Sequence, residues 1–232
     1  MFERLFDTGE MLDVAIRKAD GSVAVDLGSR GAPPLPVHPA LSEVLPSGLR
    51  RGSTVAVSGS ISLLLATIGA ASSGGAWCAL VGFPCVSAEA ASEYGIDLSR
   101  LAIIPTTGSS RASAGWTTAV GALLDAVDIV AARPPRLVPG DVRRLAARAR
   151  TREAVLMAYG EWPGADLRLR ANVGQWSGIG EGTGRLRARR LDVQAEGRGH
   201  AARPRTASLW LPAAGGGVAP AEPIAPVIEL AG

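Results

Sequence analysis

The sequence contains one lysine. Of its 24 basic residues 23 are arginine, and Lys18 stands in RKADG, following no glycine loop. A phosphate-binding P-loop needs a lysine directly after its second glycine, so no stretch of this chain offers a P-loop lysine. Histidine is almost as scarce, and His38 and His200 are too isolated in sequence to build a triad or a metal cluster. They are expected at the surface. Cys78 and Cys85 have no Cys/His cluster around them, which excludes a zinc site of ordinary spacing. Both are expected to be buried small apolar residues rather than a disulfide. Long apolar runs are missing too. Ile61–Ala71 and Ala76–Val86 are broken by Ser, Thr or Gly and fall far short of the ~20 residues of a membrane span. The first residues, MFERLFDTGE, mix acids with apolar residues and do not form a signal peptide. A soluble, cytoplasmic protein is the expectation.

What is present is a chain of 232 residues, 47% apolar and 19% charged, enough for a folded core with extensions. Its charge is divided unevenly. Residues 1–132 carry eight basic and twelve acidic side chains, whereas residues 133–205 carry sixteen arginines against seven acids. A basic second half suits an acidic partner, nucleic acid or protein, and equally a solvated surface.

Apolar periodicity divides the chain into 1–38, an N-terminal helix and linker; 39–212, a folded domain; and 213–232, a flexible Ala/Gly/Pro tail ending in IAPVIELAG. Within the domain, strands over 54–58, 76–83, 101–105, 128–132 and 154–158 alternate with helices over 62–72, 86–94, 113–126 and 139–151. Such alternation predicts a mostly parallel sheet covered on both faces. After residue 160 short strands separated by glycines follow. In GRLRARRLDVQAEG the apolar parity slips at Arg189-Arg190, which predicts a β-bulge there.

The stretch VAVSGSISLLLAT passes from a strand through Ser58-Gly59 into a helix, as a phosphate-binding loop does. Counting G-x-x-x-x-G-K-[ST] from Gly59 puts Leu64 at the second glycine, Leu65 at the lysine and Ala66 at the Ser/Thr. The surroundings carry a resemblance. HPALSEVLPSGLRRGSTVAVSGS resembles the entry into a RecA-type core, WCALVGFP the next strand, YGIDLSRLAII the segment leading into the one after it, and AVDIVAARPP the Walker B strand. WSGIGEGTGRLRARRLDVQAEGRGHAARPRTASLWLP resembles the Gly/Arg-rich C-terminal block of the ImuA group of mutasome accessory proteins. The resemblance runs from about Pro39 to Pro212.

It implies a RecA-like fold: a mostly parallel sheet flanked by helices, with antiparallel C-terminal strands and no functional P-loop. It also implies where catalytic groups would lie. The catalytic glutamate position falls near Pro84 and the Walker B aspartate near Arg133, with no acid in 80–87 or 129–136 to replace them. Phosphoryl transfer relies on lysine and Mg²⁺ to neutralise charge, so no enzyme activity and no cofactor are expected.

Three roles follow. The resemblance implies a non-catalytic adaptor in damage-induced translesion synthesis. Its partners would be an inactive Y-family polymerase homologue of the ImuB type and an error-prone DnaE-type polymerase, at the nucleoid upon damage. The second role is single-stranded DNA binding. Arg168, Arg170, Arg185, Arg187, Arg189, Arg190, Arg198, Arg203 and Arg205 would form a basic face among Trp162, Trp176 and Trp210, with NVGQWSGIGEGTG as a flexible loop. The third is inhibition of a protein partner by a RecA-like protein without a P-loop, as in the SulA type.

Overall fold

The computed structural model describes residues 32–105, 113–172, 174–180, 183–198 and 202–222. The helix expected near the N-terminus, His200 and the segment IAPVIELAG lie outside these residues.

The elements run β1 (Thr54–Ser58), α1 (Ile61–Ser73), β2 (Cys78–Val81), α2 (Ala88–Glu93), β3 (Leu101–Ile104), α3 (Ser113–Ala126), β4 (Ile129–Ala132), α4 (Pro139–Thr151), β5 (Val155–Tyr159), β6 (Leu167–Asn172), β7 (Trp176–Gly180), β8 (Thr183–Gly197), β9 (Arg205–Trp210) and β10 (Ala219–Pro220). They form one sheet in the order β10-β9-β8-β6-β1-β5-β4-β2-β3, with β7 attached to β8. From β3 to β6 every pairing is parallel. From β6 onward each pairing is antiparallel. The fold is the RecA-like α/β architecture expected.

Burial follows this division. The central strands β2 and β4 are buried along their whole length because helices cover both faces. Alternate residues feed two cores. Val55 and Val57 of β1, Ile129 and Ala131 of β4 and Val155 and Met157 of β5 join the α1 side. Ala56, Val130, Ala132, Leu156 and Ala158 join the side of α3 and α4, where Val120, Leu124, Val142 and Leu145 meet them. In β6 and β9 only every second residue is buried, so Leu169, Ala171, Ala207 and Leu209 face the core and the opposite face meets solvent.

Local signals set the ends. Ser87 caps α2 by accepting from the Ala90 N–H, and Gly95 follows the helix at φ +81°, a conformation that favours glycine. His38 caps the 3-10 turn Pro39–Leu41 through its Nδ1.

Four expectations need correction. The parity slip at Arg189-Arg190 is not a bulge: it coincides with a change of partner, from β7 up to Arg189 to β6 and β9 beyond it. The register slips further along the strand, where Arg185, Leu186 and Arg187 of β8 lie opposite the single residue Gly178 of β7. Cys85 is exposed, because it follows Pro84 in the turn after β2, while Cys78 inside β2 is buried. The sheet also continues past Pro212, since β10 pairs with β9 inside the expected tail. At the other end, buried Leu35 pairs with Leu49, so the domain begins within the expected linker.

Candidate functional site

The carboxyl end of β1 is where a RecA-type fold would hold phosphate. Here Gly59 has φ +85°, and a Cβ on it would lie 1.9 Å from the carbonyl oxygen of Ala171. Only glycine fits. Ser60 follows and caps α1, its hydroxyl accepting from the Leu63 N–H at 3.3 Å. Only Gly59 and Ser60 therefore separate β1 from α1. The count from Gly59 assumed a loop of full length, and the structure corrects it. Leu64, Leu65 and Ala66 lie inside the helix and are buried, and the side chains at its mouth are Ser60, Ile61 and Ser62. Leu63, Leu64 and Leu65 pack into the α1-side core, each such burial stabilising the fold by about 1.5–3 kcal/mol.

In front of that mouth lies Arg189 of β8. Its guanidinium donates to the Ser60 hydroxyl at 2.8 Å and to the Ser62 hydroxyl at 3.4 Å. Its Nε donates to the Leu211 carbonyl at 3.0 Å, and its own carbonyl accepts from the Leu211 N–H at 2.7 Å. The guanidinium carbon stands 5.3 Å from the ring centre of Trp176, the cross-strand partner of Arg189. A helix N-terminus attracts anions, yet here a cation sits beside it, and no carboxylate among the described residues pairs with Arg189. Burial raises the pKa of nearby Tyr94, against the effects of a hydrogen bond with Ser62 and the Arg189 charge.

The two expected acidic positions lie along the same edge of the sheet. Pro84 is exposed in the turn beyond β2. Arg133 directly follows β4, and its guanidinium carbon lies 5.1 Å from the Tyr159 ring centre and 5.8 Å from that of Phe83. The two rings meet edge to face at 5.9 Å. Where a RecA-type site would gather carboxylates around Mg²⁺, this edge presents a guanidinium on an aromatic pair. Among the described residues no cluster of three His, Cys, Asp or Glu could hold a metal ion.

The other arginines do not form one face. β7 and the first half of β8 make a hairpin in which Trp176 and Arg189 are directly paired. Arg185 and Arg187 are exposed and lie in the part of β8 where three residues face the single residue Gly178. Arg190 points the other way, donating to the Ser208 hydroxyl at 3.0 Å and lying 3.7 Å from Asp192. On the open face of the sheet Arg168 stands opposite Glu196 and Arg170 opposite the neutral Gln194, so an acid interrupts the basic residues there. Arg198 follows the end of β8, Arg203 precedes β9 and Arg205 begins it. Trp162 is buried in the second core, and Trp210 is half-buried opposite Arg190. The structure thus brings Trp176 and Arg189 into contact, places Arg185 and Arg187 on the same hairpin, and separates the rest.

Spacing could not reveal what holds β1 in place. Asp166, 112 residues away, accepts from both the N–H and the hydroxyl of Thr54, each at 2.8 Å. Below the sheet Arg51 pairs with Asp128 at 2.8 Å. Although burial opposes it, hydrogen bonds from Arg51 and the Trp77 N–H hold the Asp128 carboxyl below its usual range. No helix among the described residues is long and apolar enough to cross a membrane.

Among solved structures the fold is similar to the crystal structure of the RadB recombinase. The TM-score is 0.58 at 14% identity, covering 79% of this chain and 97% of that one, a likeness of fold. In sequence the chain is 32% identical over 163 residues to the uncharacterized protein Rv3395c of Mycobacterium tuberculosis (strain ATCC 25618 / H37Rv), covering 66% of this chain and 78% of the relative. The MT3502 N-terminal domain family matches residues 43–164, a span that includes the Gly59-Ser60 turn and Arg133 and stops before the β7–β8 hairpin. By that match and that relative, the chain belongs to the MT3502 N-terminal domain family.

Proposed function

We propose that this protein is a non-catalytic, RecA-like adaptor of DNA repair, an ImuA-prime-type subunit of a translesion-synthesis assembly. In this reading it binds an inactive Y-family polymerase homologue of the ImuB type and supports an error-prone DnaE-type polymerase during the damage response. The single observation that carries the reading is the bond between Arg189 and Ser60 at the mouth of α1. A two-residue turn leaves few backbone N–H groups to cradle a phosphate, and an internal guanidinium already uses the hydroxyls there. Leu65, Pro84 and Arg133 supply neither a lysine nor a carboxylate for Mg²⁺. A RecA-type scaffold without nucleotide chemistry retains broad surfaces for fixed protein contacts.

Two measurements test the reading. The purified protein is titrated with MgATP by calorimetry and assayed for phosphate release, and it is co-purified with an ImuB-type homologue. No nucleotide binding and a stable complex support the adaptor. Submillimolar MgATP binding with turnover, or no complex at any salt, overturns it.

A second reading, single-stranded DNA binding, is favoured by the half-exposed Trp176, which stacks with Arg189 on a hairpin that also carries the exposed Arg185 and Arg187. Phosphate contacts would make such affinity fall with salt, by roughly 0.7 in log K per log unit for each phosphate neutralised.

A further inference from the structure

We infer that the trough between α4 and the open face of β6 binds the phosphodiester backbone of a nucleic-acid strand. The inference goes beyond the adaptor reading. It rests on the second reading for its ligand class and holds that ligand on a surface away from the β7–β8 hairpin.

The sequence of α4 builds one wall. Val142, Leu145 and Ala149 are buried against the sheet. To one side of that stripe Arg148 and Arg152 both reach Asp125 of α3, which marks the flank beside α3. At about 3.6 residues per turn, Arg143 and Arg150 fall together on the opposite flank. Both are exposed. Seven positions apart, they are separated by roughly 10 Å along the helix axis.

The sheet order builds the floor. α3 packs over β4 and α4 over β5, and beyond β5 come β1 and then β6. Arg168 and Arg170 stand in register with Ala56 and Ser58 of β1, and Ala56 belongs to the core under α3 and α4. Residues in register share a face of the sheet, so both arginines lie on the α4 side, where they are exposed.

Direction brings the two rows together. α4 returns the chain from the end of β4 to the start of β5, so it runs antiparallel to these strands and to β6. A Cβ on Gly52, just before β1, would lie 3.1 Å from the Arg150 Cα, which fixes that end of the helix at the start of the strands. Arg150 is thus on the Arg168 side of the trough's length, and Arg143 on the Arg170 side. Glu196 stands across Arg168 on β8, on the side away from α4.

What the trough lacks decides the ligand. None of the exposed large hydrophobic residues among those described lies on α4 or β6. A protein interface is built on an apolar centre, and a helix that lies on a membrane inserts an apolar face. The apolar face of α4 is already buried in the core. Phosphate requires neither, since guanidinium groups pair with it through parallel N–H···O bonds. With no exposed aromatic ring on either element to stack on a base, contact is with the backbone and carries no base preference.

The test titrates labelled dT20 at rising salt against the full chain and four variants, with melting temperatures as fold controls. Arg143→Ala/Arg150→Ala and Arg168→Ala/Arg170→Ala each strip one side of the trough. Arg136→Ala/Arg144→Ala removes the same charge from outside it, and Arg185→Ala/Arg187→Ala removes it from the hairpin. Each trough variant is expected to bind dT20 about tenfold more weakly at low salt. Its slope of log K against log salt should be shallower by about 1.4, while Arg136→Ala/Arg144→Ala stays within about two-fold of the parent. Equal losses in all four variants mean attraction by net charge alone and overturn the inference. Loss in the hairpin variant alone overturns it and leaves the second reading standing. No binding of dT20 by the full chain removes both, and the adaptor reading is untouched. Trough-dependent binding of polyglutamate or of phosphatidylserine vesicles that exceeds dT20 binding also overturns it.

Discussion

Ser60 and Arg189, 129 residues apart in sequence, are joined by a 2.8 Å hydrogen bond at the first turn of α1. The Ser60 hydroxyl also accepts from the Leu63 N–H, so one side chain caps the helix and anchors a distant strand. The contact links the mouth of the helix to the root of the β7–β8 hairpin.

Replacing Arg189 with alanine removes its bonds to Ser60 and Leu211 and the stack on Trp176. The expected loss is about 1–3 kcal/mol, the cost of leaving part-buried partners unmatched. Urea unfolding measures it. On the adaptor reading, MgATP binding should be undetectable in both the parent and the variant, because the two-residue turn is common to them.

Gly59→Ala faces two penalties together. The backbone stands at φ +85°, and the new methyl would meet the Ala171 carbonyl oxygen at 1.9 Å. Because that oxygen belongs to β6, relief requires β1 and β6 to separate. The expected destabilisation is about 3 kcal/mol or more. Gly115→Ala, with no atom within 4 Å of its added Cβ, is the control and should stay within about 0.5 kcal/mol of wild type.

The two cysteines should react differently. Cys85 is exposed, whereas Cys78 is buried in β2 with its thiol pushed up to about 12 by burial. Because the thiolate is the reactive form, a thiol reagent at pH 8 should label Cys85 at once. Cys78 should react only after denaturant is added. Rapid labelling of both in the native protein would contradict this placement.

Acid should act through Asp125, which accepts from Arg148 and Arg152 across the α3–α4 contact. Hydrogen bonds from Arg148, more than those from Arg152, hold its carboxyl at about 2 against an ordinary 3.8. A depressed folded pKa means that the stabilisation is present above 3.8 and lost as pH falls toward 2. Asp125→Asn should therefore unfold at lower urea than wild type at pH 6, and the gap should close by pH 2. Because the pair is exposed, raised salt should narrow it at pH 6 as well.

The alternation of strands and helices was legible because periodicities of 2 and 3.6 persist through segments such as 139–151, where Val142, Leu145 and Ala149 turn inward. The helix start at Ile61 was legible in principle, since Ser60 stands three residues before Leu63 as an N-cap residue does. A motif count that takes loop length as given passes over that cap. Arg189, Asp166 and Trp176 were not legible in their roles, because each acts on something distant: Ser60, Thr54 and the Arg189 guanidinium. The slip in β8 was read as local when its cause is a change of neighbouring strand.

The position of β1 governs the order in which the domain can be made. Its two neighbours, β5 and β6, end at Tyr159 and Asn172, so β1 stays without a sheet partner until roughly a hundred further residues have been synthesised. Meanwhile Leu63, Leu64 and Leu65 have no sheet to cover. A chain interrupted before residue 155 keeps β2, β3 and β4 able to pair but lacks the partners of β1. Such a nascent fragment exposes its most apolar helix at the stage when it is least able to hide it, the condition under which partly made chains are prone to aggregate.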